Sequence, residues 1–164
     1  AEVHGWLSPA NLAAWADAVA RELCAADPEG AGGVRGRQAA LSGALGEEWL
    51  AARHAATRSG VRAFAAWHPA YGAWAEAVGL EQIALEADGR APGPRTLAAA
   101  RERIAATGAR TMLVQNSAEE ARAAAFARDA GLRLAVVPPL GEDPLATLRA
   151  LREAVLAGAE DPAP

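Results

Sequence analysis

The spacing of apolar positions changes character near residue 60. Before it, apolar residues recur every three or four positions. In SPANLAAWADAVARELCAADPE, Leu12, Trp15, Ala16, Val19 and Leu23 share one helical face. Ser8 stands where an N-cap belongs and Pro9 at the first helical position. Asp27-Pro28 and Gly30 end that run. A second helical segment extends from about Val34 to Thr57, its stripe carried by Val34, Gln38, Leu41, Leu45, Trp49 and Ala52. At 1.5 Å per residue it predicts a helix of roughly 36 Å, about the width of a domain. Arg58-Ser59-Gly60 breaks it.

Beyond that break, short apolar runs alternate with helical patterns. Residues 61–67 (VRAFAAW), 81–86 (EQIALE), 109–115 (ARTMLVQ) and 132–137 (LRLAVV) predict strands. Between and after them, 71–79, 94–106, 117–130 and 144–157 predict helices. Pro94 opens the second of these, and Ser117 with Glu120 forms an S-x-x-E capping box for the third. The fourfold alternation predicts an α/β fold: a four-stranded parallel sheet flanked by helices, preceded by a helix and a long spine helix. Ligands of open parallel sheets bind beyond the carboxyl ends of the strands. On that rule His68, Gln115-Asn116 and Pro138-Pro139 fall on one binding edge, and the run ending WHPAYGAW presents an imidazole there.

Composition narrows the functional classes. The 164 residues are 52% hydrophobic and 22% charged, enough for a real core. The net charge of −4, without a basic block, argues against nucleic acid as a partner. Every basic residue other than histidine is arginine, and alanine abounds, a sign of GC-rich coding that lets alanine fall on any helix face. One cysteine, Cys24, excludes an internal disulfide and a cysteine-built zinc site. No apolar run reaches the roughly 18 residues of a membrane span, and no signal peptide is visible. The sequence begins at Ala1 rather than methionine, as expected of a processed product or a fragment.

Little of the remaining chemistry is catalytic. No G-x-S-x-G occurs, and the glycine-rich EGAGG (29–33) has no strand before it to make a phosphate loop. Ser8, Ser42, Ser59 and Ser117 fit caps, helix or turn. Asp88, Glu142 and Asp143 read as solvated loop carboxylates, and His54 as a surface residue of the long helix. Two histidines remain, His4 in VHGWLSP and His68, each open to roles as metal ligand, base or structural group. An enzyme using His68 as base lacks a companion nucleophile, phosphate loop or paired carboxylate.

Three stretches carry a family resemblance. HGWLSPANLAAWADAVARELCAADPEG resembles the segment D-P-H-x-W-L-S-P, with its following helix, of the substrate-binding proteins of zinc and manganese ABC transporters. WHPAYGAWAEAVGL resembles the same family's F-H-D-A-F-G-Y-F motif. MLVQNSAEEARAAAFARDAGLRLAVVPPLG resembles its later V-I-F-x-E and L-D-P-L-G stretch. The resemblance implies the TroA-like fold. In it, residues 1–30 correspond to a remnant of the N-terminal lobe, 31–58 to the spine helix and 59–164 to the C-terminal α/β lobe. It implies a non-enzymatic periplasmic or extracytoplasmic solute-binding protein that carries zinc or manganese to a membrane permease. Its ligands carry over to His4 and His68. The departures are equally specific. The family's first histidine belongs to a lobe absent from this sequence, its aspartate falls on Pro138, and its glutamate after the third strand on Gln115. Pro69 replaces the aspartate beside His68, and Glu2-Val3 replaces the D-P before His4, leaving Glu2, water or a neighbouring chain to complete a metal shell. The alternative is a degenerate relative that keeps the fold as an interaction module without metal. In either case the Leu12, Trp15, Val19 and Leu23 face needs cover: by folding back on the sheet, by a homodimer partner, or by the missing lobe.

Overall fold

Each predicted helix forms, and side-chain caps mark the starts of those beginning at Pro9 and Ser117. The computed structural model describes residues 4–86 and 89–156; Glu2 and Asp88, named above, lie outside them. A 3-10 turn, Gly5–Leu7, which the periodicity does not reveal, leads into α1 (Pro9–Ala26). The Ser8 side chain accepts from the Asn11 N–H, as the N-cap reading expects. The long helix α2 (Ala31–Ser59) begins three residues earlier than its stripe indicates and spans about 43 Å. Gly60, at φ 70°, supplies the left-handed residue that ends it. Its predicted stripe holds: Leu45 and Ala52 are buried and Val34, Gln38, Leu41 and Trp49 half-buried.

The sheet consists of β1 (Ala63–Ala66), β2 (Glu81–Ala84), β3 (Thr111–Val114) and β4 (Arg133–Val136). All pairings are parallel, in the order β2-β1-β3-β4. The helices α3 (Gly72–Val78), α4 (Pro94–Thr107), α5 (Ser117–Asp129) and α6 (Pro144–Leu156) cover both faces. One face packs Phe64, Ala66 and Leu113 against α2, α3 and α6; the other packs Ala63, Ala65, Trp67, Met112 and Val114 against α4 and α5. Covering on both sides explains why β1 and β3 are continuous rather than alternating apolar runs.

Chain progress reverses between β1 and β3. From β1 the chain moves outward to β2, then crosses back to β3 and on to β4. The carboxyl ends of β1 and β3 therefore flank the topological switch point, where such sheets bind ligands. His68 follows β1 by two residues.

Three local expectations need correction. The α5 capping box sits one residue earlier than Ser117–Glu120. Asn116 is the N-cap and accepts from the Glu119 N–H, while the Glu119 carboxylate accepts from the Gln115 N–H. Asp143 is not merely solvated: its Oδ1 accepts from the N–H groups of Leu145 and Ala146 at the start of α6. The α1 stripe is covered only in part, and its larger residues do not fold back onto the sheet. That helix folds back onto α2 through Ala20, which is buried, and the half-buried Leu12, Ala13, Ala16 and Cys24, leaving Trp15, Val19 and Leu23 half or more exposed. Alanine's indifference to helix face hid the true contact stripe.

Candidate functional site

His68 is placed by a short series of local constraints. The residue before a proline is driven to extended backbone, so β1's direction persists through it to Pro69. The Ala70 N–H then donates to the His68 carbonyl at 2.8 Å, a tight turn across the proline. The Tyr71 N–H donates to the Gln82 side-chain oxygen at 2.7 Å, tying the turn to β2. The imidazole is left 28% exposed at the carboxyl edge of the sheet.

His4 arrives from the opposite end of the sequence. It immediately precedes the 3-10 turn, whose Leu7 is buried in the core and which packs against α3 and α6. Trp6 Nε1 donates to the Pro139 carbonyl at 2.8 Å, fastening this turn to the segment that follows β4. The His4 ring lies edge-on to Trp6, centroids 5.3 Å apart. The same ring meets His68 with centroids 5.4 Å apart and planes at 81°. The fold thus brings together the two histidines singled out from the sequence, 64 positions apart in the chain. His54 stays apart and exposed on α2.

The end of β4 is held from a second direction. The Tyr71 hydroxyl donates to the Val137 carbonyl at 2.7 Å, and both residues are buried. Burial pushes this hydroxyl well above the ordinary tyrosine range, and the nearby Glu119 carboxylate adds to the shift. Pro138, where the resemblance places a carboxylate ligand, is exposed and brings no donor atom to the edge. Among the described residues, no group of three or more His, Cys, Asp or Glu side chains could hold a metal ion.

One carboxylate escaped the sequence reading. Glu86 lies just past β2, 14% exposed, with Oε2 3.1 Å from His68 Nδ1 and Oε1 accepting from Trp67 Nε1 at 2.7 Å. Its own N–H donates to the Trp67 carbonyl at 2.8 Å. The signal lies in the register: β1 pairs with β2 at a constant offset of 18, Ala63 with Glu81 through Ala66 with Ala84. Continued two residues, that offset sets Glu86 against His68. Trp6 reads from the sequence as a packing residue and does pack against the core; the hydrogen bonds of Trp6 and Tyr71 go to main-chain carbonyls far away in sequence, which no local pattern reveals.

Comparison with known proteins gives the family. The family model described as ZnuA, zinc-uptake complex component A, periplasmic, matches residues 1–153. The high-affinity zinc uptake system protein ZnuA of Paracoccus denitrificans (strain Pd 1222) is 37% identical over 111 residues, which is 65% of this chain and 33% of that protein. A crystal structure of ZnuA superposes with a TM-score of 0.84 at 23% identity, covering 98% of this chain and 63% of that one. The laminin-binding protein Lmb of Streptococcus agalactiae, described as a bifunctional protein with adhesin and metal-transporting activity, superposes with a TM-score of 0.85 at 19% identity. That match covers 97% of this chain and 64% of Lmb. The chain therefore spans less than two thirds of the length of these relatives.

Proposed function

Because the chain belongs to the family of ZnuA, the periplasmic component A of the zinc-uptake complex, we propose that it holds zinc as cargo for an ABC importer, with His4 and His68 as two of the ligands. The observation that carries this reading is the meeting of the two imidazoles at the switch-point edge. Nitrogen–zinc distances of about 2.0–2.1 Å and tetrahedral angles set two imidazole centroids on one ion about 5 Å apart. The spacing found, 5.4 Å, is compatible with that arrangement.

The donor set also speaks to the metal. Imidazole nitrogen suits zinc, whereas manganese favours carboxylate and carbonyl oxygen. With proline at position 138, the site presents nitrogen and lacks the carboxylate, which favours zinc over manganese. Two imidazoles occupy two of zinc's four usual positions; water or a further polypeptide segment completes the shell. A half-built, partly exposed shell is suited to an ion that must be handed on to a membrane permease on the extracytoplasmic side. The ion leaves unchanged, so the reading involves no catalytic step. Among the described residues, no helix is long and apolar enough to cross a membrane.

Titration calorimetry tests the reading. The wild-type chain is expected to take up one zinc ion and to bind manganese far more weakly. Both responses should fade as pH falls, because a protonated imidazole cannot ligate. His68→Ala should abolish the zinc isotherm while leaving the circular dichroism spectrum unchanged. Equal zinc binding by the two proteins would refute the assignment.

A further inference from the structure

The contact between Glu86 and His68 has a chemical consequence for whatever His68 binds. A carboxylate can only accept hydrogen bonds, and a tryptophan N–H can only donate. Trp67 Nε1–H already engages Oε1, which fixes the carboxylate's rotation and turns Oε2 to His68 Nδ1. In a neutral imidazole facing an acceptor, the proton must then sit on Nδ1, and the lone pair on Nε2. Histidine ligands of metals are commonly held this way, by a carboxylate on the far nitrogen.

We propose that Glu86 is a positioning residue for His68, selecting the Nδ1–H tautomer so that Nε2 is the ligating atom. The proposal rests on the reading of His68 as a zinc ligand, and it adds a residue outside the metal's own shell. Three features argue that the contact is built rather than incidental. The carboxylate is 14% exposed, so it is not a mobile surface group. Its backbone is pinned to the residue before His68 by the Glu86 N–H to Trp67 carbonyl bond. Both of its oxygens are engaged by adjacent residues of a single strand end.

That double engagement makes glutamine a poor substitute. An amide has one accepting oxygen, and two N–H donors compete for it. If the oxygen stays on Trp67, the amide NH₂ faces His68, which must then accept at Nδ1 and carry its proton on Nε2. That places a proton on the atom needed for zinc. If the oxygen turns to His68, the Trp67 N–H is left against another donor.

The experiment uses the full chain and two readouts. In metal-free protein at mildly alkaline pH, long-range nitrogen–proton correlation spectra of the His68 ring report the tautomer directly. Wild type should show Nδ1–H, and Glu86→Gln should shift His68 toward Nε2–H. Zinc affinity, measured against a competing chelator, should fall about 10- to 100-fold in Glu86→Gln, the range typical of groups that orient a metal ligand. Combining Glu86→Gln with Trp67→Phe removes the competing donor. The amide oxygen can then face His68, and both the Nδ1–H tautomer and part of the affinity should return. A purely structural role for Glu86 would give no such rescue. The proposal is overturned if wild-type His68 carries its proton on Nε2, or if Glu86→Gln changes neither tautomer nor affinity. A tautomer switch between wild type and Glu86→Gln, with no zinc bound by the wild type, would instead sustain the positioning role and remove the zinc reading.

Discussion

Tyr71 is the only tyrosine in the sequence, so its ionisation can be followed alone by tyrosinate absorbance. Burial holds its hydroxyl neutral, with Glu119 assisting, and the bond to the Val137 carbonyl ties the start of α3 to the end of β4. The linkage has a definite sign. Stability from this group is complete below the unfolded-state value, about pH 10, and is lost as pH rises above it, because the unfolded chain releases a proton that the folded chain retains. Each pH unit beyond that point costs up to about 1.4 kcal/mol. Tyrosinate absorbance should therefore appear together with unfolding rather than before it; ionisation near pH 10 in a chain still folded would contradict the buried hydroxyl. Tyr71→Phe should remove this alkaline slope and cost about 1–3 kcal/mol at neutral pH, since a buried carbonyl loses its donor. Urea denaturation measures both effects. The aromatic character of position 71 is plain in the sequence. Its partner is not, being a main-chain atom 66 residues away.

At the scale of elements, the helices and strands were legible and their faces only partly so. Strand–helix alternation, the Ser8 and Pro94 starts and the Gly60 break are local signals, and each falls where propensity and capping chemistry place it. The order β2-β1-β3-β4 and the 18-residue register are long-range facts, and Glu86 became visible as His68's neighbour only through them. In α1 the predicted stripe splits: Leu12 and Ala16 are half-buried alongside Ala13 and the buried Ala20, while Trp15, Val19 and Leu23 stay exposed. The helix α2 carries five glycines, an unusual load for an element that organises so much of the chain. At Gly36 and Gly43 an added Cβ would meet nothing within 4 Å, and neither has the positive φ that would need glycine. Packing therefore does not require them, and each costs helix stability. Gly36→Ala and Gly43→Ala should each stabilise the chain by about 0.5–1 kcal/mol. Thermal denaturation checks this, and a lower melting temperature in either would mean that these positions make contacts absent from this structure.

For the whole molecule, α2 is the member that joins the rest. It packs against α1 on one side and against α3 and α6 on the other. Glu48, nearly buried on α2, receives Arg152 of α6 at 2.7 Å and Arg149 at 3.7 Å, fastening the long helix to the element that closes the sheet. This frame fixes where the chain's two ends of interest meet. The 3-10 turn that follows His4 is anchored by Trp6 to Pro139 beyond β4, while the Pro69 turn and Glu86 hold His68 at the end of β1. On the proposed reading, His4 and His68 are the residues on which metal binding turns, and the fold brings their rings together. The most direct measurement is an anomalous difference map at the zinc edge from crystals of the chain loaded with zinc. The account predicts one strong peak between His4 and His68, within about 2.0–2.1 Å of a ring nitrogen of each, and on the Nε2 side of His68. A map with no peak at this edge, or with zinc held elsewhere and both imidazoles unengaged, would contradict it.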